Sequence, residues 1–234
     1  MIVFLTAVLA AAALFFFGYT NFRLPVRRKA GKTHVACVGD SITYGCALPL
    51  FFRRRYPAVL QRLLGPDYQV SMFGVNDRTL QSTGNKPFRR EGAFRQSLAF
   101  RPEVVVILLG TNDSKDRNWI SKEAFHRQYG ELIAAYRALP SHPRILLCTP
   151  PCAFPPLWLF SFCTKPAMIE RIPMIGEEVR AVAQDEGVGL LDLYALTEGK
   201  PELFGPDGLH PSAQGARLVA AEVCRTLKST EREA

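Results

Sequence analysis

The sequence predicts an α/β fold built on a parallel sheet of about five strands, and three observations carry that reading. Short apolar runs rich in β-branched residues alternate with stretches of helical periodicity along most of the chain. The strongest run, Val104-Val105-Val106-Ile107-Leu108-Leu109, has no polar residue to offer a solvated face, as expected of a strand buried on both sides. Four clusters of small and polar residues sit at strand ends or just before a helix, where an open parallel sheet gathers its ligands.

Taken in order, residues 1–18 carry no charged side chain. As a helix the run would be about 27 Å long, close to the ~30 Å hydrocarbon core of a bilayer. Residues 1–19 are therefore expected to be a hydrophobic membrane anchor or a signal segment. A secretory signal would start with a basic region and have a shorter apolar stretch, so the anchor fits better. Residues 20–32 form a basic linker whose Arg23, Arg27, Arg28, Lys29 and Lys32 would favour the cytoplasmic side. An exported body must override that bias, so the side of the membrane stays open. The body, 33–228, opens with a strand over His34–Val38, ended by Gly39. Tyr56–Leu64 has helical spacing and stops at Gly65-Pro66. Tyr68–Phe73 reads as a second strand and Glu103–Leu109 as the third. Ser121 opens a helix towards Leu139, Arg144–Cys148 is a fourth strand and Ile169–Glu186 a helix. Gly189–Leu191 is a short fifth strand, and Ser212–Leu227 the closing helix. Helices on both faces would make this a three-layer, flavodoxin-like sandwich. The polar tail 229–234 is expected to fray.

Composition narrows the function. A chain of 234 residues with 48% hydrophobic and 21% charged residues can bury one sizeable core and is not disordered. No block repeats. The net charge of +8 could favour anionic partners, but aromatic and basic residues do not interleave, so nucleic acid is not an expected partner. The six cysteines form no C-x-x-C pair and have no histidine at ligand spacing, so neither a metal nor a redox cofactor is expected. Cys148, Cys152 and Cys163 are close enough in sequence to permit a disulfide or to be three small buried hydrophobes.

Chemistry points to four motifs: Gly39-Asp40-Ser41-Ile42 after the first strand, Gly74 to Thr79 after the second, Gly110-Thr111-Asn112-Asp113 after the third, and Asp207-Gly208-Leu209-His210-Pro211 before the last helix. A serine hydroxyl needs a base to act as a nucleophile near neutral pH. Of the four histidines, only His210 has an aspartate three residues away, suited to fixing its tautomer. Ser41 at a strand-to-helix turn could expose its Oγ, and Asn112 offers a side-chain N–H donor. Blander roles compete: Gly39 could serve only the turn, Ser41 could cap a helix, Asn112 and Asp113 could be turn residues, and Asp40 could organise its loop. His34, His126 and His142 look structural or exposed, and Tyr44 and Phe73 look like core.

Over Val35–Leu227 these motifs resemble the SGNH (GDSL-type) hydrolases, whose name matches Ser41, Gly74, Asn112 and His210. The resemblance implies a serine esterase in which Ser41 attacks an ester carbonyl, with Asp207 as the third member of a Ser-His-Asp triad. It also implies an oxyanion hole made by Ser41, Gly74 and Asn112. Arg78-Thr79-Leu80, Gly110 to Lys115 and Asn118-Trp119 look like the bacterial branch similar to sialate and xylan O-acetylesterases, implying acetyl removal from a sugar. One departure is Asp77, where related sequences carry a small residue; its carboxylate would oppose a developing oxyanion unless it turned away or paired, for instance with Arg78. The apolar stretch Pro150–Pro166 supports an alternative, a lysophospholipase or membrane-lipid esterase contacting the membrane, unless it folds onto the core. A third alternative is a catalytically dead carbohydrate-binding module. The expected partners are a small-molecule or glycan ester and, through the N-terminal segment, a membrane. Single-pass anchoring or export to the periplasm or surface of a bacterium is expected; the oligomeric state is open.

Overall fold

A computed structural model describes residues 26–232, with side chains to Ser229. The anchor or signal segment 1–19 and the first part of the linker lie outside the described residues. No helix among the described residues is long and apolar enough to cross a membrane.

Five parallel strands form one sheet: β1 (Thr33–Gly39), β2 (Tyr68–Gly74), β3 (Val104–Leu108), β4 (Arg144–Cys148) and β5 (Gly189–Leu191), in the order β2-β1-β3-β4-β5. This is the flavodoxin-like order, whose switch point lies between β1 and β3. Alternate residues of each strand feed opposite faces. Ala36 and Val38 of β1, with Val105 and Ile107 of β3, pack under three helices: α4 (Gly92–Ala99), α5 (Lys122–Arg137) and α6 (Pro166–Asp185). Val35, Cys37, Val104, Val106 and Leu108 pack on the other side, under α3 (Tyr56–Leu64) and α8 (Ala213–Arg232). The shorter α1 (Ser41–Tyr44), α2 (Phe51–Arg54) and α7 (Leu193–Thr197) fill the loops. Full burial of each Val, Leu or Phe on these faces is worth about 1.5–3 kcal/mol.

Three expectations change in detail. Helix α6 begins at Pro166, three residues earlier than its periodicity indicates, because a proline is well suited to a first turn. It also runs straight through Pro173, which has no N–H to donate to the turn before it. The closing helix continues to Arg232, through most of the polar tail. Helices α2, α4 and α7 are additional to those read from the sequence. All six cysteines are free, Cys148 and Cys152 among them in the buried interior.

Candidate active site

Loops leaving the C-terminal ends of β1, β2 and β3 and the loop before α8 converge on a cavity of about 620 Å³, lined by Ser41, Asn112 and His210 among others. That volume is typical of a small-molecule site. Ser41 is the first residue of α1. Its predecessor Asp40, and not Ser41 itself, caps the helix, with Oδ1 accepting the Ile42 N–H at 2.9 Å. The serine hydroxyl is thereby left over for another partner.

That partner is His210, whose Nε2 lies 2.9 Å from Ser41 Oγ across 169 residues of chain. Its Nδ1 lies 2.7 Å from Asp207 Oδ2. The other oxygen of Asp207 accepts the N–H groups of Leu209 at 3.0 Å and His210 at 2.9 Å. Burial pushes the Asp207 carboxyl up, but the imidazole and these two amides outweigh it and hold it below the usual carboxylate range. An ionised carboxylate can only accept, so the Nδ1 proton belongs on the Asp207 side and the Nε2 lone pair faces the Ser41 hydroxyl.

The Asp207–His210 turn is held from behind by the Pro150–Pro166 segment. Phe154 N–H donates to Gly208 O at 2.8 Å, Leu157 N–H to Pro206 O at 2.9 Å, and Thr164 Oγ1 to Asp207 O at 2.6 Å. Gly208 has φ +67°, and any Cβ there would collide with the Phe154 carbonyl, so this close approach requires glycine. The apolar segment divides: Cys152 and Ala153 are buried, whereas Leu157, Trp158, Leu159 and Phe162 are exposed and Phe162 reaches the cavity.

Asn112 lines the cavity from the loop after β3. Its Nδ2 donates to the Arg78 carbonyl at 3.1 Å and makes a longer, 3.4 Å contact with Asp40 Oδ2. Asp113, buried beside it, accepts the Leu80 N–H on one oxygen and the Gln81 N–H on the other, both at 2.9 Å. It thus ties the loop after β3 to the loop after β2. Burial raises both Asp40 and Asp113 to about 6, with neighbouring N–H groups pulling the other way. Asn118 completes the clamp by donating from Nδ2 to the Asn112 carbonyl at 2.7 Å.

Gly74 does not join Ser41 and Asn112. It does not line the cavity, and its N–H donates to Met72 Sδ at 3.0 Å. A Cβ there would lie 2.5 Å from the Tyr44 amide nitrogen, so its smallness serves the packing of β2 on α1. The loop meets the cavity later, at Asn76, Asp77 and Arg78, with Asp77 at φ +61°. Asp77 does pair, but with Lys86 and Lys115 rather than Arg78, which binds Glu91 at 2.7 Å instead. Burial pushes the Asp77 carboxyl up, and the two lysines override that to hold it below the usual range.

Among the described residues no three His, Cys, Asp or Glu side chains gather as metal ligands. A model of the GDSL-like Lipase/Acylhydrolase family matches residues 37–218. The chain belongs to that family of ester-hydrolysing enzymes. This GDSL-like chain is 37% identical over 217 residues to an acetylxylan esterase from Xylanibacter ruminicola, covering 86% of the chain and 44% of that protein. It therefore spans less than half the length of the relative. A solved carbohydrate acetylesterase from Sinorhizobium meliloti superimposes with a TM-score of 0.71 at 20% identity, covering 85% of this chain and 100% of that one. The M. smegmatis aryl esterase does so with a TM-score of 0.69 at 20% identity, covering 84% and 99%. At such identities the likeness is one of fold.

Proposed function

We propose that this GDSL-like chain is a serine esterase that removes a small acyl group, acetyl, from a saccharide hydroxyl. The observation that carries the proposal is the chain of contacts from Asp207 through His210 to Ser41 Oγ at the wall of an open cavity. In the proposed cycle Ser41 Oγ attacks the ester carbonyl while its proton passes to His210 Nε2. Asp207 stabilises the imidazolium without taking the proton. The tetrahedral oxyanion is held by the Ser41 N–H and by Asn112 Nδ2. One proton of that amide is engaged by the Arg78 carbonyl, and the other has only the long 3.4 Å contact to Asp40 to give up. A further backbone donor would have to come from Asn76–Arg78 rather than Gly74. His210 then protonates the leaving alcohol oxygen. Water attacks the acyl-serine with His210 as base, and acetate leaves.

The acetylxylan esterase relative favours a carbohydrate ester. A lipid ester remains the second reading because Leu157, Trp158, Leu159 and Phe162 expose an apolar surface next to the cavity. We further propose that residues 1–19 tether or export the domain. The test of the central reading is hydrolysis of p-nitrophenyl acetate against p-nitrophenyl octanoate, with a fluorophosphonate to label Ser41. Acetate preference and labelling are expected. Clear preference for the octanoate would move the assignment to the lipid reading, and no labelling would favour a dead binding module.

A further inference from the structure

The wall of the cavity facing the loop after β2 carries more positive charge than its carboxylates neutralise. Lys86, Lys115 and Arg117 all turn to one acceptor, Asp77: Lys86 Nζ at 2.8 Å, Lys115 Nζ in direct contact, and Arg117 Nη2 at 3.9 Å. One carboxylate against three cations leaves two unbalanced. Lys165, on the same cavity, donates to the Ser161 carbonyl at 2.8 Å, an uncharged acceptor. The remaining ions of the wall are matched: Arg78 by Glu91 at 2.7 Å and Asp116 by Arg171 at 2.9 Å. The excess is thus concentrated on residues that line the same space as Ser41 and His210. A concave site lined by one sign of charge focuses its field and raises the local concentration of counter-charged ligands. Lys86 and Arg117 are 47% and 60% exposed while they face Asp77, so a ligand can reach them from solvent, and their attraction must weaken with salt.

We propose that the substrate is an acidic saccharide ester, an acetylated sugar with a carboxylate that sits against Lys86, Lys115 and Arg117 while its ester reaches Ser41. This rests on the esterase reading and specifies its substrate. A sugar is favoured over a charged lipid because the acetylxylan esterase relative acts on a carbohydrate ester, and the charged lipid is kept as an outcome of the test. Asp77 serves as a resident counter-ion that holds the cations together until the substrate's carboxylate joins them. The carboxylate near the ester, which looked detrimental in the sequence, becomes a positioning group for three cations.

The experiment compares kcat/KM of the full chain on an acetylated oligogalacturonide and on an acetylated neutral xylo-oligosaccharide, at low salt and at high salt. p-Nitrophenyl acetate is a control for ester hydrolysis, and an anionic lysophospholipid is a fourth substrate. The expected preference for the acidic sugar is about tenfold or more at low salt, shrinking several-fold at high salt. Lys86→Gln and Arg117→Gln should each lower the acidic-to-neutral ratio about threefold or more, and Lys86→Arg should keep it. Hydrolysis of p-nitrophenyl acetate without any preference for the acidic sugar overturns the proposal, as does a preference indifferent to salt or a better rate on the lysophospholipid. Absence of all ester hydrolysis removes the esterase reading and this proposal with it.

Discussion

Ser41, Asn112 and His210 are at most 9% exposed and each is held by hydrogen bonds from a different loop, whereas Trp158 and Phe162, in the segment that reaches the lip of the cavity, are 80% and 69% exposed. The floor is over-determined and the lip is not. On the proposed reading these three are reacting groups that must meet within a few tenths of an ångström, and the loops that bring them there are locked by buried carboxylates such as Asp113. Groups that only greet the substrate need reach and charge, which long exposed side chains supply.

The sharpest way to break this contrast is at the floor. Ser41→Ala and His210→Ala should each lower turnover of p-nitrophenyl acetate by about 10⁴ or more, with an unchanged circular dichroism spectrum. Activity within tenfold of the unaltered chain would remove both residues from the chemistry. Asn112→Ala should reduce kcat by about 10²–10³ with little change in KM; steady-state kinetics showing a change in KM alone would strip it of the oxyanion role.

Asp113→Asn tests the lock rather than the reaction. It turns an N–H₂ towards a backbone amide that needs an acceptor, and should cost about 1–3 kcal/mol in urea unfolding at pH 7. That cost should depend on pH in a particular direction. The folded chain holds Asp113 at about 6, above its ordinary 3.8, so the carboxyl favours folding most when protonated. Its contribution is complete below about 3.8 and fades as the pH climbs through about 6, a loss of about 3 kcal/mol. The stability gap between the unaltered chain and Asp113→Asn should therefore be widest near pH 4 and narrow by pH 7. Asp207 and Asp77 work the other way: held below their ordinary values, they contribute above about 3.8 and lose that contribution as the pH falls through their lowered values.

The smallest effect belongs to the lip. Trp158→Ser should change unfolding free energy by no more than about 0.5 kcal/mol. On the saccharide reading it should leave the acetate-to-octanoate ratio of p-nitrophenyl esters nearly unchanged. A selective loss of octanoate hydrolysis would instead mark Trp158 as an acyl-chain contact.

The same contrast governs what could be read without coordinates. Strands β1, β3 and β4 were legible because a doubly buried strand leaves a nearly continuous apolar run, whereas the less buried edge strands β2 and β5 were read from short β-rich stretches between helical ones. The Asp207–His210 contact was legible because a carboxylate three residues from a histidine is local in sequence, whereas the approach of Ser41 across 169 residues was open to sequence only as an expectation. Gly74 is ambiguous in sequence because a glycine at a strand end can serve chemistry or packing equally, and the approach of Tyr44 shows the packing that requires it. The Asp77 cluster was illegible for a different reason: Lys115 lies 38 residues away along the chain, and an ion pair of that separation has no sequence periodicity to announce it. Helix α4 starts at a glycine after Glu91, without a side-chain cap, and gives no start signal.

The backing of the histidine loop has one more consequence. Phe154, Leu157 and Thr164 grip it by contacts to the main chain at residues 206–208, so what this support demands of the segment is a path rather than particular apolar side chains. Evolution could exchange the outward-facing residues 157–162 while the Asp207–His210 turn behind them stayed put, much as a tool changes its handle without regrinding its blade.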